Sequence, residues 1–594
     1  MQNRQATLEQ TTLEQATLEQ ALARHQAGDA AAADALYSAI LDATPRQANA
    51  LHLSGLLFFE QGRYAEAAER WERLAAAAAN EPQAWFLLAD ARRALGDQPG
   101  EVRAYRNALD LDGGNLAAWI ALGAAESVRG EHTAAIAAYE QALTLDPAQV
   151  DAHAGLAAAL CGAGRAAEAV TAAERAVARD PAHATAWFVL AGALKAEARL
   201  DEALAALERS VALQPGFAPA QLNLASLYGA LNREADAERA LRVALALDPA
   251  LKPAISNLAF LLIGADRVVE AQVLCEAALE RDPAHDEARW ALTLSLLRQG
   301  DYARGWPLYA QCEWEGPAKA RFAEQLDAPM WRGEPVEGRT LLVCASEGLG
   351  DTLQFSRFLK PLADLGAKPM LACDGKLVAL LQQLPGAVID RDEPVPPYDL
   401  WVEQMSLPWL LRTTLETLPA PEKLVADPAR VEAWRAHLPA GRKFGIVWSG
   451  NPAHPNDARR SMRTEEIAPL LTVPGWTPVS LQVGARSGEI ATLFGLPDHA
   501  PALADFEATA ALIENLDLVI AVDTAVAHLA GAMGKPVWVM LSATAEWRWL
   551  AGRSDTPWYP TMRTVRQSRL GDWSDVVSEV AQDLAVWQGA SKAA

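Results

Sequence analysis

The sequence predicts a multidomain protein in which an all-α array of helix pairs is followed by an α/β region. Leucine recurs every 34 residues from Leu88 to Leu292, and proline keeps the same spacing from Pro147 to Pro283. After Gly338 this period gives way to short apolar runs that alternate with amphipathic segments. A long regular repeat indicates stacked units that share a continuous core, whereas the later alternation indicates strands joined by helices.

Small residues accompany the recurring leucines and identify the type of helix pair. One follows most of the leucines and a second lies twelve positions further on, which lets two antiparallel helices approach closely. The two series are Ala89, Gly123, Ala157, Ala191, Ala225 and Ala259, then Ala135, Ala169, Ala203, Ala237 and Ala271. This pattern resembles the tetratricopeptide repeat. The resemblance implies about eight repeats over residues 21–310, a right-handed superhelix of helix pairs, and a protein or peptide partner in its groove.

Two further segments flank the predicted array. Residues 1–20 contain the pentads ATLEQ, TTLEQ and ATLEQ, which we interpret as a frayed helix or a tail, with self-association as an alternative. Between residues 311 and 337 the repeat pattern decays through aromatic and proline-rich sequence. We expect a capping helix and a linker there, because the last repeat must cover its apolar face.

Composition excludes several classes of function. The net charge of −23 and the pI near 4.9 argue against nucleic acid or an anionic membrane surface as a partner. The N-terminus lacks the basic and apolar parts of a secretory signal, and we find no membrane span. Five scattered cysteines form no CxxC pair, so reduced thiols in a cytoplasmic protein are the simplest interpretation; they are Cys161, Cys275, Cys312, Cys344 and Cys373.

The region after Gly338 contains two successive units of alternating strands and helices. The first unit begins with RTLLVCAS, and proline clusters between Pro419 and Pro428 mark its end. The second begins with KFGIVWSGN and continues through LDLVIAVDT to KPVWVMLS. We therefore predict two Rossmann-like domains, at residues 338–435 and 436–594. Ligands of such sheets bind outside the carboxyl ends of the strands, so the turns after the strands are the candidate sites.

The first candidate turn runs from Glu347 to Thr352. Gly348 and Gly350 permit a tight turn, and Asp351 lies at the start of the helix that follows. Asp351 fits two roles. It either caps the helix by accepting backbone N–H groups, or it acts as a carboxylate that takes a proton from an attacking hydroxyl.

The second candidate turn begins at Asp523, directly after the apolar run LDLVIAV. A helix that starts near Thr524 and Ala525 would direct free N–H groups and the positive end of its dipole at an anion. His528 lies four residues after Thr524 and so shares its helix face. A phosphate site at this helix start is our preferred interpretation, and capping by Asp523 or Thr524 with packing by His528 is the structural alternative.

The third candidate turn holds Trp448, Gly450 and Asn451. A polar loop follows it and carries three arginines within five residues, in an otherwise acidic chain; they are Arg459, Arg460 and Arg463. Guanidinium groups at a strand end form a candidate clamp for an anion, and a solvated loop is the alternative. Elsewhere the sequence has no HExxH, no GxSxG and no zinc-type Cys/His spacing, so we predict no metal site.

Taken together, these turns resemble glycosyltransferase family 9, which includes the ADP-heptose:lipopolysaccharide heptosyltransferases. The matching motifs are SEGLGDTLQF, VWSGNPAHPNDARRS, SLQVG, VDTAVAHLAGAMGKPVWVM and EWRWLAGRSDTPWYPTM. The resemblance implies a GT-B fold, with the acceptor on the first Rossmann-like domain and a nucleotide sugar on the second, and no metal or other cofactor. It implies that Asp351 is the catalytic base, that Glu347, Gly348 and Gly350 form the acceptor-side turn, and that Asp523 and Thr524 contact the donor.

One position departs from that family. Relatives often carry lysine in the strand-end segment written here SLQVG, where an ammonium would neutralise the donor diphosphate, and this chain has Val483. A charge-assisted contact stabilises by roughly 1.5–3 kcal/mol, so its loss lowers donor affinity about ten- to a hundredfold unless Arg486, Arg460 or Arg548 substitutes.

The order of repeats before a GT-B half also resembles protein O-GlcNAc transferases, but their asparagine ladder is reduced here to Asn223 and Asn257. The sequence therefore predicts a glycosyltransferase that moves a sugar from a nucleotide sugar to a hydroxyl of a glycan or protein. A non-enzymatic repeat adaptor with a vestigial GT-B module is the alternative. The donor sugar, its nucleotide and the acceptor stay open.

Overall fold

The structure is a computed structural model that describes residues 2–315, 326–454 and 456–588. The chain falls into two compact units, Met1–Pro249 and Ala250–Ala594. Of the segment predicted as a cap and linker, residues 316–325 lie outside the described residues. The boundary between the units falls at residue 249, inside the predicted repeat array, so the last repeats belong to the same unit as the α/β region.

Residues 21–310 contain helices and turns, and no strand is present in that range, all of which the structure describes. The all-helical repeat array predicted for the N-terminal half is therefore present. Within each of the two compact units, consecutive helices of the array pack against each other. They are α1 (Gln2–Gln26), α2 (Ala30–Ala43), α3 (Ala48–Glu60), α4 (Tyr64–Ala77), α5 (Pro82–Ala94), α6 (Gln98–Leu111), α7 (Leu116–Val128), α8 (His132–Leu145), α9 (Val150–Gly162), α10 (Ala166–Arg179), α11 (Ala184–Ala196), α12 (Leu200–Leu213), α13 (Ala218–Ala230), α14 (Glu234–Leu247), α15 (Lys252–Gly264), α16 (Val268–Arg281), α17 (Asp286–Gln299) and α18 (Tyr302–Glu315).

The helices α3 to α18 form eight pairs, and α1 with α2 forms one more pair before them. The low-complexity pentads lie within α1, which continues without a break past residue 20. Leu18 and Ala21 of α1 are buried in the same hydrophobic cluster as Tyr37 of α2. The carboxyl half of α1 is therefore part of the packed array.

Small residues at the recurring positions allow the helices to pack closely. At Gly123 on α7, an added Cβ would lie 2.8 Å from the ring of Tyr139 on α8. A carbon at that distance overlaps the ring, so the position accepts only a residue without a side chain. In this repeat the small residue is thus a packing requirement of the helix pair.

A second recurring feature ties the first turn of several repeat helices to the loop before it. In each case a side-chain nitrogen bonds to the carbonyl oxygen of the residue six positions earlier in the chain. The pairs, nitrogen first, are Trp119 and Gly113 at 3.0 Å, His153 and Pro147 at 3.0 Å, Trp187 and Pro181 at 3.0 Å, and Arg289 and Pro283 at 2.5 Å.

The α/β region contains two fully parallel sheets, as the two alternating units predict. The first sheet has the strand order β3-β2-β1-β4 and the second has the order β6-β5-β7-β8-β9. The strands are β1 (Thr340–Cys344), β2 (Lys368–Cys373), β3 (Ala387–Asp390), β4 (Leu400–Glu403), β5 (Arg442–Val447), β6 (Trp476–Ser480), β7 (Leu518–Val522), β8 (Val537–Leu541) and β9 (Met562–Arg566).

Helices lie between the strands of both sheets, between the two sheets and after the last strand. They are α19 (Leu349–Phe355), α20 (Leu359–Asp364), α21 (Gly375–Leu381), α22 (Leu407–Leu410), α23 (Pro428–His437), α24 (Asp457–Arg460), α25 (Ala468–Leu471), α26 (Glu489–Phe494), α27 (Phe506–Glu514), α28 (Ala525–Ala532) and α29 (Ser574–Val586).

Both faces of the second sheet are buried, which explains its continuous apolar strands. Along β7, Leu518 and Ile520 belong to one hydrophobic cluster, whereas Val519 and Ala521 belong to another on the opposite face. A strand covered on both sides needs apolar residues at every position instead of at alternate positions. The second of these clusters also contains Leu297 of α17, so the last repeat shares a core with the sheets.

Among the described residues, no helix combines the length and the apolar run that crossing a bilayer requires.

Candidate functional site

The first and second candidate turns meet at Gly350. This glycine lies in α19, which follows β1 of the first sheet, and it packs against the start of α28, which follows β7 of the second sheet. An added Cβ at Gly350 would lie 3.0 Å from His528 Cδ2 and 3.5 Å from Ala525 Cα. Glu347 and Gly348, at the tip of the first turn, are exposed. The structure thus brings the turns at the carboxyl ends of β1 and β7 into direct contact.

Asp351 makes two interactions that fix its carboxylate. One oxygen, Oδ1, lies 2.7 Å from Nη1 of Arg548, and the other accepts the Gly348 backbone N–H at 3.2 Å. Burial alone would raise the pKa of Asp351, but the Arg548 guanidinium outweighs it and holds the pKa below its ordinary value. The side chain therefore caps its helix and also stays ionised at neutral pH.

Arg548 is the centre of a buried polar network. Besides Asp351, it binds Glu546 through Nη2 at 2.9 Å and donates from Nη1 to Gln354 Oε1 at 2.6 Å. Its guanidinium also lies over the ring of Trp547, 5.2 Å from the centroid. The pKa of Arg548 is raised because the neighbouring carboxylates outweigh its burial. From sequence, Arg548 is predicted only as a substitute for a missing lysine, because the contact with Asp351 joins residues far apart in the chain.

Asp523 lies at the end of β7, next to this network. Its Oδ2 accepts the indole N–H of Trp549 at 2.8 Å, and its Oδ1 is 4.0 Å from Nε2 of His528. Burial, followed by the charge of Glu546, raises the pKa of Asp523 to about 6. The carboxyl group of Asp523 is therefore less acidic than that of an exposed aspartate.

Thr524 is the residue that precedes the first turn of α28. Its side chain makes no capping hydrogen bond, and its buried Oγ1 has no hydrogen-bond partner among the described residues. Ala525 begins the helix. A polar hydroxyl and free backbone N–H groups therefore lie together at the positive end of α28.

His528 is buried in the first turns of α28. Its Nδ1 lies 3.2 Å from the hydroxyl of Tyr559, and its ring stacks on Trp549 with centroids 5.4 Å apart. Burial and the charge of Arg548 lower its pKa to about 3. The imidazole is therefore neutral at physiological pH and packs between the two aromatic rings.

We expect His528→Gln to make the protein less sensitive to acid. The folded state holds neutral imidazole, so its stabilising contribution is full above the ordinary pKa of 6.5 and is lost as pH falls from there towards 3. Between about pH 7 and pH 4.5, the variant should lose about 2–3 kcal/mol less unfolding free energy than the wild type. Urea unfolding at both pH values measures this difference.

The exposed His437 on α23 provides the matched control for that experiment. His437→Gln should leave the acid sensitivity of the wild type unchanged. Equal acid sensitivity of His528→Gln and the wild type would show that His528 is not held neutral by its surroundings.

The turn from Trp448 to Asn451 is held mainly by Gln482, a residue that the sequence patterns do not indicate. Gln482, after β6, accepts the backbone N–H groups of Trp448 at 3.2 Å and Ser449 at 3.0 Å, and it donates to the Ser449 carbonyl at 3.0 Å. The Trp448 ring is fully buried and donates to Thr464 Oγ1 at 2.8 Å. Only the backbone of Trp448 therefore borders the turn.

Gly450 and Asn451 shape the rest of this turn. The Gly450 N–H is bound by Ser461 Oγ at 2.9 Å, and an added Cβ at Gly450 would lie 2.9 Å from Arg460 Nε. Asn451 is exposed and its Oδ1 accepts the Ala453 N–H at 3.0 Å. Gly450 thus makes room for the Arg460 guanidinium beside the turn.

A small pocket opens at the carboxyl ends of β7 and β8. Its lining includes Arg459, Arg460, Asp523, Thr544 and Glu546. The Nε of Arg460 is 3.6 Å from Oδ1 of Asp457 in α24, which is too far for a hydrogen bond. This Nε has no hydrogen-bond partner among the described residues. The pocket therefore combines an unused guanidinium N–H with carboxylates in its lining.

Arg463, the third arginine of the predicted clamp, lies away from this pocket. Its side chain is 78% exposed and pairs with Glu466 at 3.0 Å. The structure thus brings Arg459 and Arg460 together at the pocket and leaves Arg463 at the surface. Within the described ranges, no group of three or more His, Cys, Asp and Glu side chains is arranged to hold a metal ion.

Comparison with known proteins finds similarity in parts of both halves of the chain. Residues 18–115, 129–164 and 155–216 match tetratricopeptide-repeat profiles, and residues 500–571 match the profile of glycosyltransferase family 9 (heptosyltransferase). The chain thus contains segments similar to tetratricopeptide repeats and, after them, a segment similar to glycosyltransferase family 9. Protein FlbA of Caulobacter vibrioides is 30% identical over 336 residues, which cover 50% of this chain and 54% of FlbA. The match thus spans about half the length of this curated relative.

Solved structures are also similar to parts of the chain. A thermophilic repeat protein of Thermus thermophilus, TTC0263, is 28% identical with a TM-score of 0.28, and the match covers 31% of this chain and 99% of that one. A fragment of MamA from Desulfovibrio magneticus RS-1 is 18% identical with a TM-score of 0.26, covering 29% and 96% of the two chains.

The family 9 segment contains Asp523, Thr524, His528 and Arg548, whereas Asp351 and the Trp448–Asn451 turn lie before the matched residues. The structure nevertheless places Asp351 against Arg548. The ion pair therefore connects the matched segment to the sheet that precedes it.

Val483 lies after β6 and is 45% exposed. Because valine carries no charge, this position supplies no cation to a donor diphosphate. Of the three arginines that could substitute, Arg486 is bound to Glu489 and to the Met462 carbonyl, and Arg548 is held in the buried network. Arg460 alone keeps a buried N–H without a hydrogen-bond partner among the described residues. Arg460 is therefore the substitute that the geometry favours.

Proposed function

We propose that this chain is a GT-B glycosyltransferase that transfers a sugar from a nucleotide sugar to a hydroxyl acceptor. The tetratricopeptide repeats and the family 9 segment support a glycosyltransferase-type function. The observation that carries the finer proposal is the contact between the two turns at Gly350, with Asp351 and Arg548 paired across it. Two parallel sheets that meet at their strand ends provide a cleft of the kind in which nucleotides bind.

In this proposal the donor diphosphate binds at the pocket beside α28. The free N–H groups at Thr524 and Ala525 and the positive end of the helix dipole attract the phosphate oxygens. Arg460 supplies a charged N–H that has no other hydrogen-bond partner among the described residues. Asp523 and Glu546, on the same pocket, accept hydrogen bonds from hydroxyl groups of the donor.

Asp351 is the proposed general base for the acceptor. A hydroxyl oxygen attacks the anomeric carbon, the bond from that carbon to the phosphate oxygen breaks, and the nucleoside diphosphate leaves with the electron pair. The hydroxyl proton passes to Asp351. Because Arg548 lowers the basicity of Asp351, this transfer occurs only after the attacking oxygen has acquired positive charge in the transition state.

The repeats provide the second half of the proposal. Stacked helix pairs form an extended surface suited to a polypeptide, so we propose a protein or peptide partner for the array. That partner is either the acceptor itself or a protein that brings the acceptor to the cleft.

The test is a transfer assay with the full chain. Nucleoside diphosphates are titrated by calorimetry, and nucleotide sugars are incubated with the protein while release of the diphosphate is followed. We expect one diphosphate to bind and the corresponding nucleotide sugar to be turned over. A chain that binds none of them and releases no diphosphate would instead be a repeat adaptor with a vestigial α/β module.

We expect Arg460→Ala to weaken diphosphate binding by about ten- to a hundredfold, because one charge-assisted contact is lost. Arg463→Ala is the matched control from the same loop, since Arg463 is exposed and paired with Glu466. Calorimetry on both variants measures the difference. Equal losses in the two variants would indicate a diffuse charge effect and would remove Arg460 from the site.

A further inference from the structure

The last repeat packs against the two segments that carry the Asp351–Arg548 ion pair. Trp306 of α18 contacts Phe355, with centroids 6.2 Å apart, and Trp547, with centroids 5.2 Å apart, and it meets both rings edge to face at 88°. Phe355 lies one helical turn after Asp351 in α19, and Trp547 is the residue before Arg548. One side chain of the repeat array thus supports both segments that carry the pair.

The contact with Trp547 continues to the Arg548 guanidinium. Trp306 packs on one side of the Trp547 ring, and the guanidinium lies over that same ring, 5.2 Å from its centroid. Trp306 is 1% exposed, and its indole nitrogen has no hydrogen-bond partner among the described residues. Its role is therefore the packing of its ring, since the nitrogen makes no bond that would explain a tryptophan at this position.

Helix α17, which precedes α18, holds the carboxyl end of the segment 547–551. The Ala551 N–H donates to the Arg298 carbonyl at the end of α17, at 2.9 Å. Within this segment, Leu550 has a φ of 49°, which is unusual for a branched residue. Its backbone carbonyl accepts a hydrogen bond from the Arg566 side chain at 2.9 Å. A strained backbone persists only where its surroundings determine it, so α17 and β9 fix the path of residues 547–551.

We propose that the last helix pair of the repeat array, α17 and α18, is a component of the transferase site, with Trp306 as a positioning residue for the Asp351–Arg548 pair. This inference rests on the proposed function. It means that the repeats do more than recruit a partner, because their final pair sets the geometry of the proposed base. A displacement of about 1 Å at reacting groups lowers turnover by roughly 100-fold, so small losses of support have measurable effects.

The experiment compares three variants of the full chain: Trp306→Leu, Trp306→Phe and Trp331→Leu. Trp331 is the matched control, since it is 2% exposed in the same hydrophobic cluster and donates to the Glu334 carbonyl, away from the ion pair. We expect Trp306→Leu to lower kcat by roughly 10- to 100-fold with the donor KM unchanged. Trp306→Phe keeps a ring and should restore most of kcat, and Trp331→Leu should keep the wild-type kcat.

Hydrogen exchange on the same variants provides a readout that does not need turnover. Amides of residues 547–551 and of α19 should exchange faster in Trp306→Leu than in Trp331→Leu. If the wild type transfers no sugar but this exchange difference is present, the positioning inference stands and the proposed function fails. If the wild type is active and Trp306→Leu matches Trp331→Leu in kcat and in exchange, the positioning inference is overturned and the proposed function stands.

Discussion

Asp351→Asn is expected to lower the turnover of the proposed transferase by about 10²- to 10⁴-fold, the usual contribution of a positioned general base. Asn keeps the size of the side chain and an oxygen that accepts the Gly348 N–H, so the start of α19 should persist. Affinity for the nucleoside diphosphate should change little, because Asp351 lies on the turn that we propose for the acceptor. Steady-state kinetics and calorimetry on the same preparation separate the two quantities.

The ion pair requires a control for stability, because Asn leaves the charge of Arg548 without one of its two carboxylates. Breaking a buried pair from one side costs several kcal/mol, whereas removing both partners costs much less. The double variant Asp351→Asn with Arg548→Gln should therefore recover melting temperature relative to Asp351→Asn without recovering turnover. A single variant with wild-type turnover would leave Asp351 with a purely structural role.

Thr524→Trp is expected to weaken binding of the nucleoside diphosphate by at least 100-fold, equivalent to about 2.7 kcal/mol. An indole at this position would cover the N–H groups at the start of α28. Titration calorimetry on the full chain gives the affinity, and a melting curve shows whether the second sheet stays folded.

Thr524→Ser is the matched control, since it keeps the buried hydroxyl and leaves the helix start open. It should bind the diphosphate within a fewfold of the wild type. If Thr524→Trp bound the diphosphate as tightly as the wild type, the phosphate site would have to lie elsewhere. The Trp448–Asn451 turn would then be the next candidate.

The architecture was predictable because its determinants are local and repeated. Each repeat carries the small residues that its own helix pair needs, as Gly123 does beneath Tyr139. The strands were predictable because burial on both faces gives uninterrupted apolar runs such as LVIAV in β7. Less was predictable at the end of the array, since residue spacing does not show that α17 and α18 share a core with the sheets.

The candidate site was predictable only in its turns. Asp351, Thr524 and Gly450 follow strands, so their positions at the strand ends could be read from the order of elements. Arg548 and Gln482 could not be assigned a role in the same way. Arg548 acts through a partner almost 200 positions away, and Gln482 binds backbone groups of a neighbouring strand end. Such contacts depend on the packing of two sheets, which no local pattern records.

The hydrogen bond at the first turn of four repeat helices shows that different side chains can make the same contact in different repeats. Tryptophan, histidine and arginine occupy the same phase at residues 119, 153, 187 and 289, and each places a nitrogen on the same loop carbonyl. What is held constant is a nitrogen at a fixed reach from the backbone, whatever ring or chain delivers it. The three residue types are therefore equivalent in the one group that they share, a side-chain nitrogen that donates a hydrogen bond. In each of these four repeats the same bond holds the preceding loop against the helix.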